Sequence, residues 1–187
     1  LHYYPMWRTW FSLHGLCKLP WNDITPANNK ETADPAKVEE HVENYTWIHE
    51  GVTGLPTTAD DLLHQSERVY NFQKVFSIRM GRVGRRHDYP PYRAMGPVTV
   101  TEYVSRAERY DTQLRDLIGV DPENLGVEAK MAHLRKYRED QYEVLLDAVY
   151  TRRGWDKDCI PTIEKMRSLR MDLPEVIDVI EMARSQV

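Results

Sequence analysis

The sequence predicts an all-α fold, an irregular multi-helix domain. Three observations carry that expectation. Apolar residues return at three- and four-residue spacing in one segment after another. Capping side chains open these segments, and glycine or proline closes them. No run alternates polar and apolar residues over a useful strand length.

The elements follow in order. Asp34 is a good N-cap with Pro35 at the first helical position, and Val38, Val42, Tyr45 and Ile48 then form a stripe that Gly51 ends. Thr58 and Asp61 resemble a capping box, and Leu62, Val69, Phe72, Phe76 and Met80 form the apolar face of a helix stopping near Gly81. Thr99 with Glu102 opens a further helix, faced by Tyr103, Ala107, Tyr110, Leu114 and Leu117 and ended by Gly119. A longer helix is expected from about Val127 to Arg152, faced by Val127, Met131, Leu134, Gln141 or Tyr142, Leu145 and Val149, with Gly154 as its stop. Short helices at Thr162–Leu169 and Pro174–Ala183 finish the chain, the second capped by Asp172. Between these lie irregular segments at Pro20–Ala33, Arg82–Pro97 and Val120–Gly126, and Asp88–Arg93 is expected to be extended because of its two prolines. The expected organisation is one helical domain over 1–187, a fragment of a longer chain: a cofactor-facing segment (1–33) precedes a helical body (34–187).

Composition narrows the classes. With 41% hydrophobic and 29% charged residues, the chain belongs with globular proteins and not disordered ones. A net charge of -4 gives no general reason to expect nucleic acid as a partner. No apolar run approaches the roughly 20 residues of a membrane span, and no signal peptide is visible. Cys17 and Cys159 give no disulfide framework, so a reducing, cytoplasmic setting is expected. Tyr3, Tyr4, Trp7, Trp10 and Phe11 crowd aromatic surface into the first residues. Such surface packs on the domain's own helices or on preceding chain.

Cys17 is the residue with most to say. It lies in Ser12-Leu13-His14-Gly15-Leu16-Cys17-Lys18-Leu19-Pro20-Trp21-Asn22-Asp23, where Gly15 permits a positive φ and Pro20 opposes plain helix. A thiol after a glycine turn is common in iron–sulfur and zinc ligation, with His14 available beside it. A lone cysteine is also an ordinary buried residue. Two cysteines cannot complete a four-thiolate site, so either Cys17 is such a residue or its companion ligands lie elsewhere. Arg79, Arg82, Arg85, Arg86 and Arg93, with His87 and Asp88, form a basic cluster suited to phosphate or carboxylate, or to pairing with acids of the fold. The cations of Arg152-Arg153-Gly154-Trp155-Asp156 suit a helix C-terminus, Trp155 is expected to cover the core, and Cys159 is expected in an exposed turn. There is no GxGxxG, P-loop or HExxH motif.

Taken in order, four blocks resemble the tungsten-dependent aldehyde ferredoxin oxidoreductase family. Ser12–Cys17 resembles its D-x-x-G-x-C segment. The run from Ser66 to Gly81 resembles its E-R-x-x-N-x-x-x-x-F-N-x-R-x-G helix. Arg85–Pro90 resembles its R-x-D-D-x-x-P turn, with Tyr89 at the second aspartate. Tyr150–Asp156 with Ile160-Pro161-Thr162 resembles its closing Y-x-x-R-G-W-D…P-T.

The resemblance implies the C-terminal helical part of a longer polypeptide that holds a tungsten bis-pterin (tungstopterin) and a 4Fe–4S cluster. It implies Cys17 as the fourth cluster ligand, the other three coming from an upstream C-x-x-C-x-x-x-C that this sequence lacks. Ser12, His14 and Gly15 would border the pterin. Ser12 replaces the family's aspartate and keeps an oxygen while losing the charge. Asn22 and Asp23 are weaker candidates for the cavity wall. The implied reaction is oxidation of aldehydes to carboxylic acids, with ferredoxin or an iron–sulfur subunit accepting the electrons and the remainder of the same polypeptide as the first partner. The catalytic subunit of tungsten-dependent benzoyl-CoA reductase shares the architecture and stays open. So does a non-enzymatic module that docks a partner through Tyr3, Tyr4, Trp7 and Trp10. The fragment alone is expected to be inactive.

Overall fold

The computed structural model describes residues 3–17 and 39–187. Asp34, Pro35, Val38, Asn22 and Asp23 lie outside these residues. The described residues are all-α: helices and short turns, with no strand and one isolated bridge, Trp155 to Pro161. No helix among them is long and apolar enough to cross a membrane. The chain divides into two compact units, residues 1–83 with 152–187 and residues 84–151.

The first unit contains α1 (Tyr3–Leu13), α2 (Glu39–Thr53), α3 (Ala59–Arg79), α7 (Ile163–Ser168) and α8 (Pro174–Arg184). Trp7 and Trp10 are fully buried, and with Phe11 they pack on Tyr45 of α2 and Leu62 of α3. Ring centroids of Trp7, Trp10 and Phe11 lie 5.3, 5.0 and 5.3 Å from that of Tyr45. The N-terminal aromatics Trp7 and Trp10 are therefore core, which removes both from any partner-docking surface. A second cluster joins Val75 and Ile78 of α3 to Ile160, Met166, Leu169, Ile180 and Ala183.

Local chemistry explains the helix ends. Thr58 Oγ1 accepts from Asp61 N–H at 3.2 Å and the Asp61 carboxylate accepts from Thr58 N–H at 2.9 Å, a reciprocal box. Thr162, expected as the first residue of a short helix, is instead the N-cap of α7, its side chain accepting from Lys165 N–H. Several expectations fail. Gly51 lies inside α2, which runs on to Thr53 before Gly54 at φ +71°. On the α2 stripe Ile48 is exposed, and His49 is buried instead. Asp172 does not cap α8. Its N-cap is Leu173, without a side-chain bond, because Pro174 already fixes the first turn. Cys159 is buried at φ +67°, not exposed. The largest error concerns α3, where Phe72, Phe76 and Met80 are exposed while Ser66, Asn71, Lys74, Val75 and Ile78 are buried.

The second unit holds α4 (Val100–Val104), α5 (Ala107–Gln113) and α6 (Val127–Arg153), whose last two residues belong to the first unit. The one helix expected over Thr99–Gly119 is broken at Ser105–Arg106 and finishes in a π turn, Leu114–Ile118, before Gly119 at φ +74°. Thr99 Oγ1 caps Glu102 N–H, but the Glu102 carboxylate takes Val98 N–H and so does not close a reciprocal box. Tyr103, Tyr110, Leu114 and Leu134 form the core, while Leu117 is exposed. On α6 it is Leu146, not Leu145, that is buried. Tyr92–Met95 is a short 3-10 turn, so only the Tyr89–Pro91 part of the expected extended segment is extended.

Two arginines of the cluster are held in ion pairs. Arg85 pairs with Glu143 and with Asp147, and Arg93 pairs with Glu102 at 3.1 Å. Asp88 accepts from Tyr142 at its carbonyl and from Tyr150 at its carboxylate, each at 2.8 Å. Arg85 and Asp88 thus pin the loop of the third block to α6.

Asp111 organises the core of this unit, accepting from Tyr103 Oη at 2.5 Å and Lys130 Nζ at 3.1 Å. Burial pushes its carboxyl up, but the hydrogen bonds from Tyr103 and Lys130 outweigh that and hold it below the usual carboxylate range. A folded-state value below the unfolded value means stabilisation that is present above the unfolded carboxylate range, about pH 4, and lost as pH falls through the folded value. Asp111→Asn is expected to lower stability by about 1–2 kcal/mol at pH 7. The gap from wild type should narrow below about pH 4. Urea titrations at both pH values check this, and a gap that widens in acid contradicts it.

Candidate functional site

The turn that ends α1 is built by Gly15. At φ +66° it occupies the left-handed region, and Leu16 N–H reaches back to Phe11 O at 2.9 Å. This is a helix end closed by a left-handed glycine, with the next residue's apolar side chain folded back onto the helix. Leu16 packs on the Trp7–Trp10–Tyr45 cluster. Cys17 follows it and is exposed. The same local geometry that buries Leu16 therefore presents the Cys17 sulfur to the outside.

Ser12 and His14 do not share a face. Ser12 Oγ donates to Arg8 O at 3.2 Å, and its residue lines a groove against α3 with Tyr70 and Gln73. That groove has a volume of about 490 Å3. His14 turns toward α2. Its ring lies 4.5 Å from Trp10 and 5.5 Å from His49, and its Nδ1 is 2.9 Å from Trp10 O. A carbonyl only accepts, so Nδ1 carries a proton. His49 is held in turn by Thr57 Oγ1 at 2.8 Å from its Nδ1. This chain from Thr57 through His49 to His14 was missed in the sequence. Its signal was present, since His49 falls four residues after Tyr45 on the α2 stripe.

Among the described residues no group of three His, Cys, Asp or Glu side chains could hold a metal. What is offered is one exposed thiol. It fits one corner of a four-thiolate cluster whose other corners come from elsewhere, and it does not fit a site closed within the described residues.

The second and fourth blocks turn out to be one structural clasp. Asn71 Oδ1 accepts from Trp155 Nε1 at 2.8 Å in a buried bond, and Asn71 Nδ2 donates to Glu67 O at 2.9 Å. Arg153 Nη1 donates to Tyr70 Oη at 2.8 Å and stacks over the Tyr70 ring at 4.1 Å. Lys165 pairs with Glu67 at 2.5 Å. Gly154, at φ +68°, is required twice: by its dihedral, and because a Cβ there would meet Lys165 carbons at 2.9 Å. The Asp156 carboxylate takes the N–H groups of Asp158 and Ile160, which shapes the turn. The side chains of Glu67, Tyr70, Asn71, Arg153, Trp155, Asp156 and Lys165 are all engaged within the first unit.

This arrangement defines a helical piece that carries a single outward thiol on a glycine turn, stapled by Asn71 and Trp155. The sequence matches the family description "Aldehyde ferredoxin oxidoreductase, domains 2 & 3" over residues 1–171. The chain belongs to the aldehyde ferredoxin oxidoreductase family. No individual curated protein and no solved structure shows significant similarity to it.

Proposed function

We propose that the chain is the helical part of a tungstopterin and 4Fe–4S oxidoreductase that oxidises aldehydes to carboxylic acids. The observation that carries the reading is an exposed Cys17 at the Gly15 turn in a chain of this family. Cys17 supplies one thiolate to the cluster, and the remainder of the same polypeptide supplies the rest. Ser12, His14 and Gly15 border the pterin. Bound, the two groups supply two-electron redox chemistry and conduct the electrons outward.

The chain's own residues position and exclude. Gly15 holds the turn at φ +66°, where any other residue would be strained. Leu16 anchors the turn in the aromatic core and so holds Cys17 in place. Ser12 Oγ donates its hydrogen bond to Arg8 O and keeps lone pairs to accept with, and His14 Nδ1 is engaged with Trp10 O, which leaves Nε2. Each can accept from a pterin N–H on its own side of α1, Ser12 toward α3 and His14 toward α2. In the overall balance one aldehyde and one water give one carboxylic acid, two protons and two electrons, the electrons passing to ferredoxin.

Assay of the complete polypeptide under anaerobic conditions tests this. Aldehydes are expected to reduce ferredoxin with two electrons released per aldehyde, and residues 1–187 alone are expected to show no turnover. Turnover of aromatic acyl-CoA thioesters with none of aldehydes would overturn the aldehyde reading and favour the benzoyl-CoA reductase branch.

A further inference from the structure

A second groove lies on the first unit, sharing Leu13 and Val69 with the Ser12 groove but lined by neither Ser12 nor Cys17. Its apolar wall is formed by Leu13 of α1, Val69 and Phe72 of α3, and Met171, Leu173 and Val176 around the start of α8, and its volume is about 410 Å3. That size is within the range of small-molecule sites, which combine apolar walls with a few placed polar groups. Its only polar lining is Gln65, Arg68 and Arg170, with no carboxylate among the lining residues. Glu175 lies in the first turn of α8 but does not line the groove. Arg68 and Arg170 are exposed, and neither has an acidic partner among the described residues.

Two further observations point the same way. Arg170 sits at φ +54°, at the end of α7, where glycine is the residue without strain. Its backbone is locked there by Arg170 N–H to Arg167 O at 2.9 Å and Met171 N–H to Met166 O at 2.8 Å. A guanidinium is thus kept at the groove despite an unfavourable backbone. The N-terminus of α8 begins at Leu173, in the groove wall, with no side-chain cap, and its dipole adds positive potential.

The geometry points to a binding site for an amphipathic carboxylate, an alkyl chain or ring on the apolar wall with its carboxylate against Arg68 and Arg170. Guanidinium matches carboxylate through paired hydrogen bonds, and this charge complementarity separates such a ligand from a neutral or cationic amphiphile of equal length. The site is independent of the Cys17 reading and stands or falls without it.

Isothermal titration of the complete polypeptide with octanoate, 1-octanol and octylamine tests the assignment. Octanoate is expected to bind saturably at one per chain, at least about tenfold tighter than either control. Arg170→Gly is expected to weaken octanoate at least about tenfold while raising Tm by about 2–4 °C, because strain is relieved as the ligand contact is lost. Phe72→Glu, at a residue 56% exposed, should abolish binding without unfolding the chain. The assignment is overturned by non-saturable binding, by equal affinity for 1-octanol, or by wild-type affinity in Arg170→Gly or Phe72→Glu. It is equally overturned if the wild-type groove binds nothing because another segment of the polypeptide covers it.

Discussion

Trp155→Ala is expected to remove about 3–5 kcal/mol of stability, a large share of what a domain has. The indole is buried, its Nε1 donates to Asn71, its face stacks at 6.1 Å on Tyr70, and Lys74 and Arg153 lie over it at 5.2 Å each. Truncation opens a cavity and also strands Asn71 Oδ1, so transfer, cavity and hydrogen-bond losses add. Trp155→Phe keeps most of the volume and isolates the polar part, expected to cost about 1–3 kcal/mol. Trp47→Ala is the control: the same residue type, 62% exposed on α2, expected to change stability by no more than about 0.5 kcal/mol. Denaturant titration followed by far-UV circular dichroism measures all three. Similar losses at Trp155 and Trp47 would contradict the clasp.

This clasp shows where the sequence could and could not be read. Several helix ends were legible because their chemistry is local: Thr58 reaches Asp61, and Gly81, Gly119 and Gly154 take the positive φ that stops a helix. The face of α3 was not legible. Its polar residues Ser66, Asn71 and Lys74 are buried because their partners satisfy them, and for Asn71 that partner is Trp155, distant in sequence. Hydrophobic periodicity assigns such positions to solvent and assigns Phe72 and Phe76 to the core, whereas their rings are stacked 6.5 Å apart on the outside. The break at Ser105–Arg106 was hidden for a similar reason, since Tyr103 and Tyr110 fit one helical stripe whether or not the helix between them is continuous.

At the candidate site the sequence named Ser12, His14, Gly15 and Cys17 together. The structure gives them different surroundings: Ser12 faces α3, His14 faces α2, Gly15 makes the turn and Cys17 points out. Residue spacing set the turn, but the split between faces depends on how α1 packs between its neighbours, which no local pattern records.

The second large effect concerns Cys17 itself. An exposed thiol can be replaced with little effect on folding, so Cys17→Ala is expected to change stability by no more than about 0.5 kcal/mol. Its effect on a cluster would be of another order, because a site missing one of four thiolates is labile to solvent and oxidant. The companion residue Cys159 is buried in the first unit and is not exposed to a cluster from outside. A substitution that leaves the helices intact while emptying the cluster would separate ligation from folding.

The decisive measurement is iron and acid-labile sulfide per chain in the complete polypeptide, purified anaerobically, for wild type and Cys17→Ala with matching far-UV spectra. Four irons in the wild type and a clear deficit in the variant, with loss of the reduced cluster's paramagnetic signal, is the predicted result. Unchanged iron and an unchanged signal in Cys17→Ala would show that this sulfur binds no cluster.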